Sequence, residues 1–172
     1  MSGFARRLAG LPWRQIAGEA FDRTLLAAQA FCAVHVVHTH VFSLAYPQGP
    51  SMLPALNLMG DVAVIDRLSA RYRWVAPGDV VLLTSPEDPR KKIAKRVLGM
   101  EGDAVTYLVD PENIDTSKTV VVPQGHIWVQ GDNTFASTDS RTFGPVPYGL
   151  VEGKMSYRIW PLKKFGLIDP KM

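Results

Sequence analysis

The chain has 172 residues, with 19 Lys and Arg against 16 Asp and Glu, a net charge of +3 and an isoelectric point near 9.1. That length suits one domain with a real core and an appended segment, and 47% hydrophobic with 20% charged residues excludes an intrinsically disordered chain. A single cysteine, Cys32, excludes an internal disulfide framework and a multi-cysteine zinc site, and no Lys/Arg stripe interleaved with aromatics marks a nucleic-acid surface.

Residues 1–23 carry Arg6, Arg7, Arg14 and Arg23 against Glu19 and Asp22, with Phe4, Leu8, Leu11, Trp13, Ile16, Ala20 and Phe21 at roughly helical spacing. A basic amphipathic start of this kind is either an organellar targeting segment or the flank of a membrane helix, and both readings stay open. From Thr24 to Tyr46 no charged residue occurs. At about 1.5 Å per residue the stretch reaches about 34 Å as a helix, enough to cross a hydrocarbon core. Gln29, His35, His38, Thr39 and His40 interrupt it, and such polar groups face protein or an aqueous end. We read 24–46 as a single membrane anchor in preference to a buried core helix. Basic residues precede it and none follows until Arg67, so the positive-inside rule keeps the N-terminus inside and puts residues 47–172 across the membrane. His35, His38 and His40 lack a carboxylate partner set, and no metal site is expected from them.

Beyond Tyr46 the pattern changes to period two. Residues 61–66, 79–84, 92–98, 104–109, 119–122, 126–130 and 153–160 read as strands. Pro77-Gly78-Asp79, Ser85-Pro86, Gly102-Asp103, Pro123-Gln124-Gly125 and Gly131-Asp132-Asn133 separate them as turns. Fourteen Gly and thirteen Pro without a period fit short strands and many turns. The expected fold is mainly β, an antiparallel barrel or sandwich.

No metalloprotease helix, phosphate-binding loop, dinucleotide fingerprint or paired-cysteine motif is present. His126 opens a strand and suits a structural role better than a catalytic triad. Ser51, between Pro50 and Pro54 in Gly49-Pro-Ser-Met-Leu-Pro54, is a hydroxyl in a conformationally restricted segment. Taken alone it reads as a turn serine, as a serine in a proline-rich loop usually is. A serine needs a base, and a lysine serves if its ammonium is destabilised. Strand alternation puts Ile93, Lys95 and Val97 on one face, so Lys95 lies in an apolar row where burial lowers its pKa. The bland alternative is a lysine snorkelling from an edge strand. Gly131-Asp-Asn-Thr-Phe-Ala-Ser-Thr-Asp-Ser-Arg141 is dense in short polar residues, as in a hydrogen-bonded loop beside a site or in a surface turn.

Taken in order, Ser51-Met-Leu-Pro54, Pro77-Gly-Asp-Val-Val81, Lys95-Arg-Val-Leu-Gly-Met-Glu-Gly-Asp103 and Gly131-Asp-Asn133 with Ser137-Thr-Asp-Ser-Arg141 resemble the successive boxes of type I signal peptidases. The resemblance covers residues 46–165. The short spacing between the Lys95 box and the Asp139-Ser-Arg141 box, the ending Phe143-Gly-Pro-Val-Pro-Tyr-Gly-Leu150 with Trp160-Pro161, and Arg141 after Asp139-Ser140 are similar to the mitochondrial inner-membrane branch of the family, and to the first of its two subunits. The resemblance implies a signal-peptidase catalytic fold on one transmembrane helix. It implies that Ser51 is the nucleophile and Lys95 the general base, that Ser137 orients the Lys95 amine, and that Arg96, Asp132, Asp139 and Arg141 form charge pairs bracing the loops. It further implies a serine endopeptidase without metal or organic cofactor, acting on precursors that bear sorting peptides on the intermembrane-space side, with membrane lipid and a second protease subunit as partners and no nucleic acid. Gly49 offers no side chain where some bacterial members carry a second oxyanion donor. Ala55 and Glu101 also depart from common family residues. A bacterial or thylakoid signal peptidase, and a non-catalytic membrane-anchored partner subunit, are the rival readings.

Overall fold

The computed structural model describes residues 12–110 and 113–168; the expectations for residues 1–11 lie outside them. The chain divides into two compact units, one ending at Thr39 and one beginning at His40.

The first unit holds all but the last residue of the helix α1, Trp13–His40. Its described side chains are exposed along its whole length, among them Phe21, Leu26, Phe31 and Val34. From Arg14 to His40 it is long and apolar enough to cross a membrane. The helix begins upstream of the uncharged run and stops short of its end. The last part of that run, Phe42–Ala45, is instead strand β1. Absence of charge does not distinguish a helix from a strand. Alternation does, and Ser43 is buried while Phe42 and Leu44 are exposed.

The second unit is antiparallel throughout. Its strands are β1, β2 (Val62–Asp66), β3 (Val80–Thr84), β4 (Lys92–Gly99), β5 (Ala104–Asp110), β6 (Asn113–Val121), β7 (His126–Gln130), β8 (Val146–Pro147), β9 (Val151–Trp160) and β10 (Gly166–Leu167). The main sheet runs β1-β2-β9-β3-β4-β7-β8, with β10 also on β9, and curls into a half-barrel. Strands β5 and β6 form a separate hairpin. All seven expected strands are found. The largest difference is β6, which begins at Asn113 rather than Thr119 because its polar half is held by pairing with β5, not by apolar alternation.

Strand β3 lies in the middle, with both faces covered. Val81 and Leu83 join Val97, Ile127, Val129 and Val146 in one cluster. Val80 joins Ala63, Ile65 and Met155 in another, with Met52 and Leu56 from the segment that carries Ser51. A third cluster, Val105, Val122 and Trp128, docks the β5–β6 hairpin onto β7, with Tyr107 against Trp128 at 4.7 Å between ring centroids. Asp66 ends β2 and caps the short helix α2 (Arg67–Arg71) by accepting from the Leu68 and Ser69 backbone N–H groups.

One detail of register positions the site. On one edge of β4, residues 92–96 pair with β3. On the other, β7 pairs only from Arg96 to Gly99. The β7-side edge of residues 92–95 therefore has no strand partner among the described residues. This open edge leads directly to Lys95.

Candidate active site

Ser51 sits in a single 3₁₀ turn, Pro50–Met52. Proline at the first position presets the turn, and Gly49 before it takes φ +109°, which a side chain would disfavour. The Gly49 N–H donates to the Leu58 carbonyl at 2.9 Å and closes the loop behind the serine. Met52, 3% exposed, anchors the turn in the core. Ser51 itself is half-buried, and its turn packs on β4.

Lys95 is 3% exposed. Ile93 and Val97, its neighbours on the same face, both pack in the central cluster. Burial holds the Lys95 amine below its ordinary pKa, with Asp139 pulling it up and Arg141 pushing it further down. Its Nζ donates to Ser137 Oγ at 2.8 Å. Ser137 Oγ in turn donates to Asp139 Oδ2 at 2.7 Å. A hydroxyl has one proton, so with that proton directed at Asp139 the Ser137 oxygen faces Lys95 as an acceptor.

Asp139 is fully buried. Burial pushes its carboxyl up, but hydrogen bonds from the Arg141 guanidinium, the Gly131 N–H, Ser137 and the Arg141 N–H outweigh that and hold it below the usual carboxylate range. Arg141 binds it as a fork, Nε to Oδ1 and Nη2 to Oδ2, both at 2.9 Å. A second fork joins Arg96 to Asp132, with Nε and Nη2 each at 2.7 Å from a carboxylate oxygen. Arg96 Nη1 also donates to the Gly78 carbonyl. Arg96 thereby ties the Pro77-Gly78 turn to the loop after β7.

Two groups outside the expected set complete the arrangement. The Asn133 N–H donates to the Ser51 carbonyl at 3.0 Å. Gly131 packs so closely that a Cβ there would run into Ser137 Oγ and the Ser51 carbonyl oxygen. Both belong to the Gly-Asp-Asn run visible in the sequence, but a backbone donor and a missing side chain leave no chemical signature of their own. Lys95, Ser137, Asp139 and Arg141 thus form one continuous hydrogen-bonded chain, and Asn133 and Gly131 join the Ser51 turn to the same loop. His126 stands apart, its Nδ1 2.9 Å from the Gln124 carbonyl.

Residues 21–112 and 108–160 match the family model described as signal peptidase, peptidase S26. The chain is 51% identical over 154 residues to the mitochondrial ATP-independent inner membrane protease subunit 1a of Arabidopsis thaliana, covering 90% of this chain and 92% of that one. It is 37% identical to mitochondrial inner membrane protease subunit 1 of Mus musculus, covering 90% and 92%. It is 42% identical to subunit 2 of Danio rerio, covering 83% and 79%. With a helix fit to span a membrane followed by this β unit, and with relatives this similar over most of their length, the chain belongs to the peptidase S26 family of signal peptidases.

Proposed function

We propose that the chain is a membrane-anchored serine endopeptidase with Ser51 as nucleophile and Lys95 as general base, and that it removes sorting peptides from proteins delivered to the mitochondrial intermembrane space. What carries this assignment is a buried lysine whose amine is hydrogen-bonded to a hydroxyl rather than to a carboxylate. A neutral amine has two N–H groups and one lone pair. Ser137 accepts one N–H and orients the amine, leaving the lone pair for the Ser51 hydroxyl.

The reaction runs in two halves. Ser51 Oγ attacks the scissile carbonyl while Lys95 takes its proton. The tetrahedral adduct collapses, Lys95 returns the proton to the leaving amine, and an acyl ester remains on Ser51. A water deprotonated by Lys95 then attacks the ester, and Ser51 recovers its proton. The Ser51 backbone N–H serves as an oxyanion donor, an interaction worth about 3 kcal/mol in the transition state. The precursor binds as an added strand on the open edge of β4, its backbone pairing with residues 92–95 and its side chains selected by shallow pockets beside the dyad. The arginine forks to Asp132 and Asp139 brace the loops and do not touch the peptide.

Helix α1 is the anchor, and the unit from β1 onward is the catalytic domain. Arg14 and Arg23 lie in the N-terminal half of the helix, which sets that end on the matrix side and the catalytic unit in the intermembrane space. Since the relatives are named as subunits of one protease, a second, homologous subunit is the proposed partner.

Cleavage of a precursor with an intermembrane-space sorting signal tests the assignment, using the detergent-solubilised chain with its partner subunit. Wild type is expected to cut, and Ser51→Ala and Lys95→Met to lose activity by several orders of magnitude while remaining folded and assembled. If Ser51→Ala cuts at the wild-type rate, the chain is a scaffold and the partner performs the chemistry.

A further inference from the structure

One buried ionic group takes no part in the steps above. Arg158 on β9 is 8% exposed, and its guanidinium reaches two points of the segment that follows Ser51. Nη2 donates to the Ala55 carbonyl, and Nε lies 3.4 Å from Asp61 Oδ2. Asp61 is also buried, and accepts from the Asn57 backbone N–H at 2.8 Å and from the Asn57 side-chain amide at 2.6 Å. Lys164 Nζ donates to Asn57 Oδ1 at 2.7 Å. Residues 49–61 are therefore a strap. The Gly49–Leu58 bond closes it, Leu56 N–H to the Met52 carbonyl at 2.8 Å stiffens it, and Arg158 and Lys164 fasten its far side to the end of the sheet.

A buried ion pair is a poor device for stability alone. Apolar residues of similar volume often stabilise as well or better, because two charges no longer have to be desolvated. Such residues cannot hold a backbone carbonyl and an asparagine amide at fixed points. We infer that Arg158, acting through the Ala55 carbonyl and Asp61, is a positioning residue for Ser51: it fixes the strap four residues beyond the nucleophile, so that the hydroxyl is presented to Lys95. This rests on Ser51 being the nucleophile. Arg158 itself meets no reacting atom.

The test uses the full-length, detergent-solubilised chain with its partner subunit, as wild type, Ser51→Ala, Arg158→Lys, Arg158→Met and the double variant Asp61→Leu/Arg158→Met. The readouts are kcat and KM on a sorting-signal precursor, the pH dependence of kcat, the melting temperature, and the rate of covalent labelling by a small serine-directed phosphonate. The double variant is expected to stay folded and to melt above Arg158→Met, which leaves Asp61 buried without its counter-charge, yet to lose roughly 10- to 100-fold in both kcat and labelling rate, the scale expected of a misplaced nucleophile. KM and the pH midpoint stay in place. Arg158→Lys recovers part of kcat, because an amine still donates to the Ala55 carbonyl. A folded double variant with wild-type kcat and labelling overturns the proposal, as does a change confined to KM. Should the double variant not fold, Arg158→Lys decides: a lowered melting temperature with wild-type kcat makes Arg158 structural only. Wild-type turnover in Ser51→Ala defeats the underlying nucleophile assignment instead, whatever Arg158 does.

Discussion

Lys95 and Arg96 are adjacent on β4, both buried, and they are treated in opposite ways. Arg96 is met by the Asp132 carboxylate in a two-point fork and by the Gly78 carbonyl, and so binds two loops together. Lys95 is met by a hydroxyl, while the nearby carboxylate of Asp139 is engaged by Arg141. Burial lowers the pKa of a basic group unless an opposite charge restores it. One residue thus ties two loops together through an ion pair, and the next is the one we propose as the base. The difference lies in where the two carboxylates are spent.

The most direct way to break the contrast is to place an arginine at both positions. Lys95→Arg keeps the positive charge and the hydrogen-bond donors but cannot deprotonate. Precursor cleavage is expected to fall by about a thousandfold or more, on the order of 4 kcal/mol of barrier, read as single-turnover rate on folded protein. Asp139→Asn attacks the other partner: it leaves the Arg141 guanidinium buried without its counter-charge, and about 3–5 kcal/mol of stability is expected to go. Denaturant unfolding measures this, and a loss under about 1 kcal/mol contradicts a buried pair, falling in the range of exposed ones.

Smaller changes sharpen the comparison. Gly131→Ala drives a methyl group into Ser137 Oγ and the Ser51 carbonyl, and overpacking of this kind costs about 1–3 kcal/mol, with cleavage falling further than stability explains. Thermal melting and kcat on the same sample separate the two. A pH dependence follows from the Lys95 shift. Only the neutral amine is a base, so kcat/KM rises with pH and levels off above the lowered Lys95 pKa. Arg141→Gln removes a charge that pushes that pKa down and releases Asp139 to pull it up, so the acid limb moves to higher pH; an unmoved limb detaches it from Lys95. The sign of the stability linkage is equally definite. Between the folded and unfolded lysine pKa values the folded state binds fewer protons, so wild-type stability gains as pH rises through that window. Lys95→Met, which lacks the amine, has its greatest relative advantage in melting temperature below the window, and loses it towards pH about 10, where the unfolded lysine is also neutral.

Much of this was legible in the chain because it rests on local pattern. Strands β3, β4 and β7 announce themselves by alternating apolar residues, and the row Ile93-Lys95-Val97 makes a buried amine one of two readings, beside a lysine snorkelling from an edge strand. The turns at Gly78, Gly102 and Gly125 carry positive φ where glycine stands. What escaped rests on distance in sequence or on backbone atoms. Strand β1 hid in an uncharged run, because pairing with β2 and not composition makes it a strand. The Asp61–Arg158 pair joins residues nearly a hundred positions apart, and no spacing rule connects them. The Asn133 bond to Ser51 uses a main-chain N–H that every non-proline residue possesses.

If the precursor adds to the unpaired stretch of β4 as proposed, that edge limits which bonds can be cut at all. An added strand is read in steps of two residues, since neighbouring side chains point to opposite faces. Shifting a precursor by one position therefore exchanges the side chains facing the pockets with those facing away, and a scissile bond displaced by a single residue is presented with the wrong parity. The edge also demands about four residues of extended chain, roughly 13 Å, before the bond reaches Lys95. A cleavage site inside a helix or a folded domain cannot supply that length. On that reading, the edge proposed to bind the precursor also tests whether it is still unfolded, and a compact mature protein would be spared.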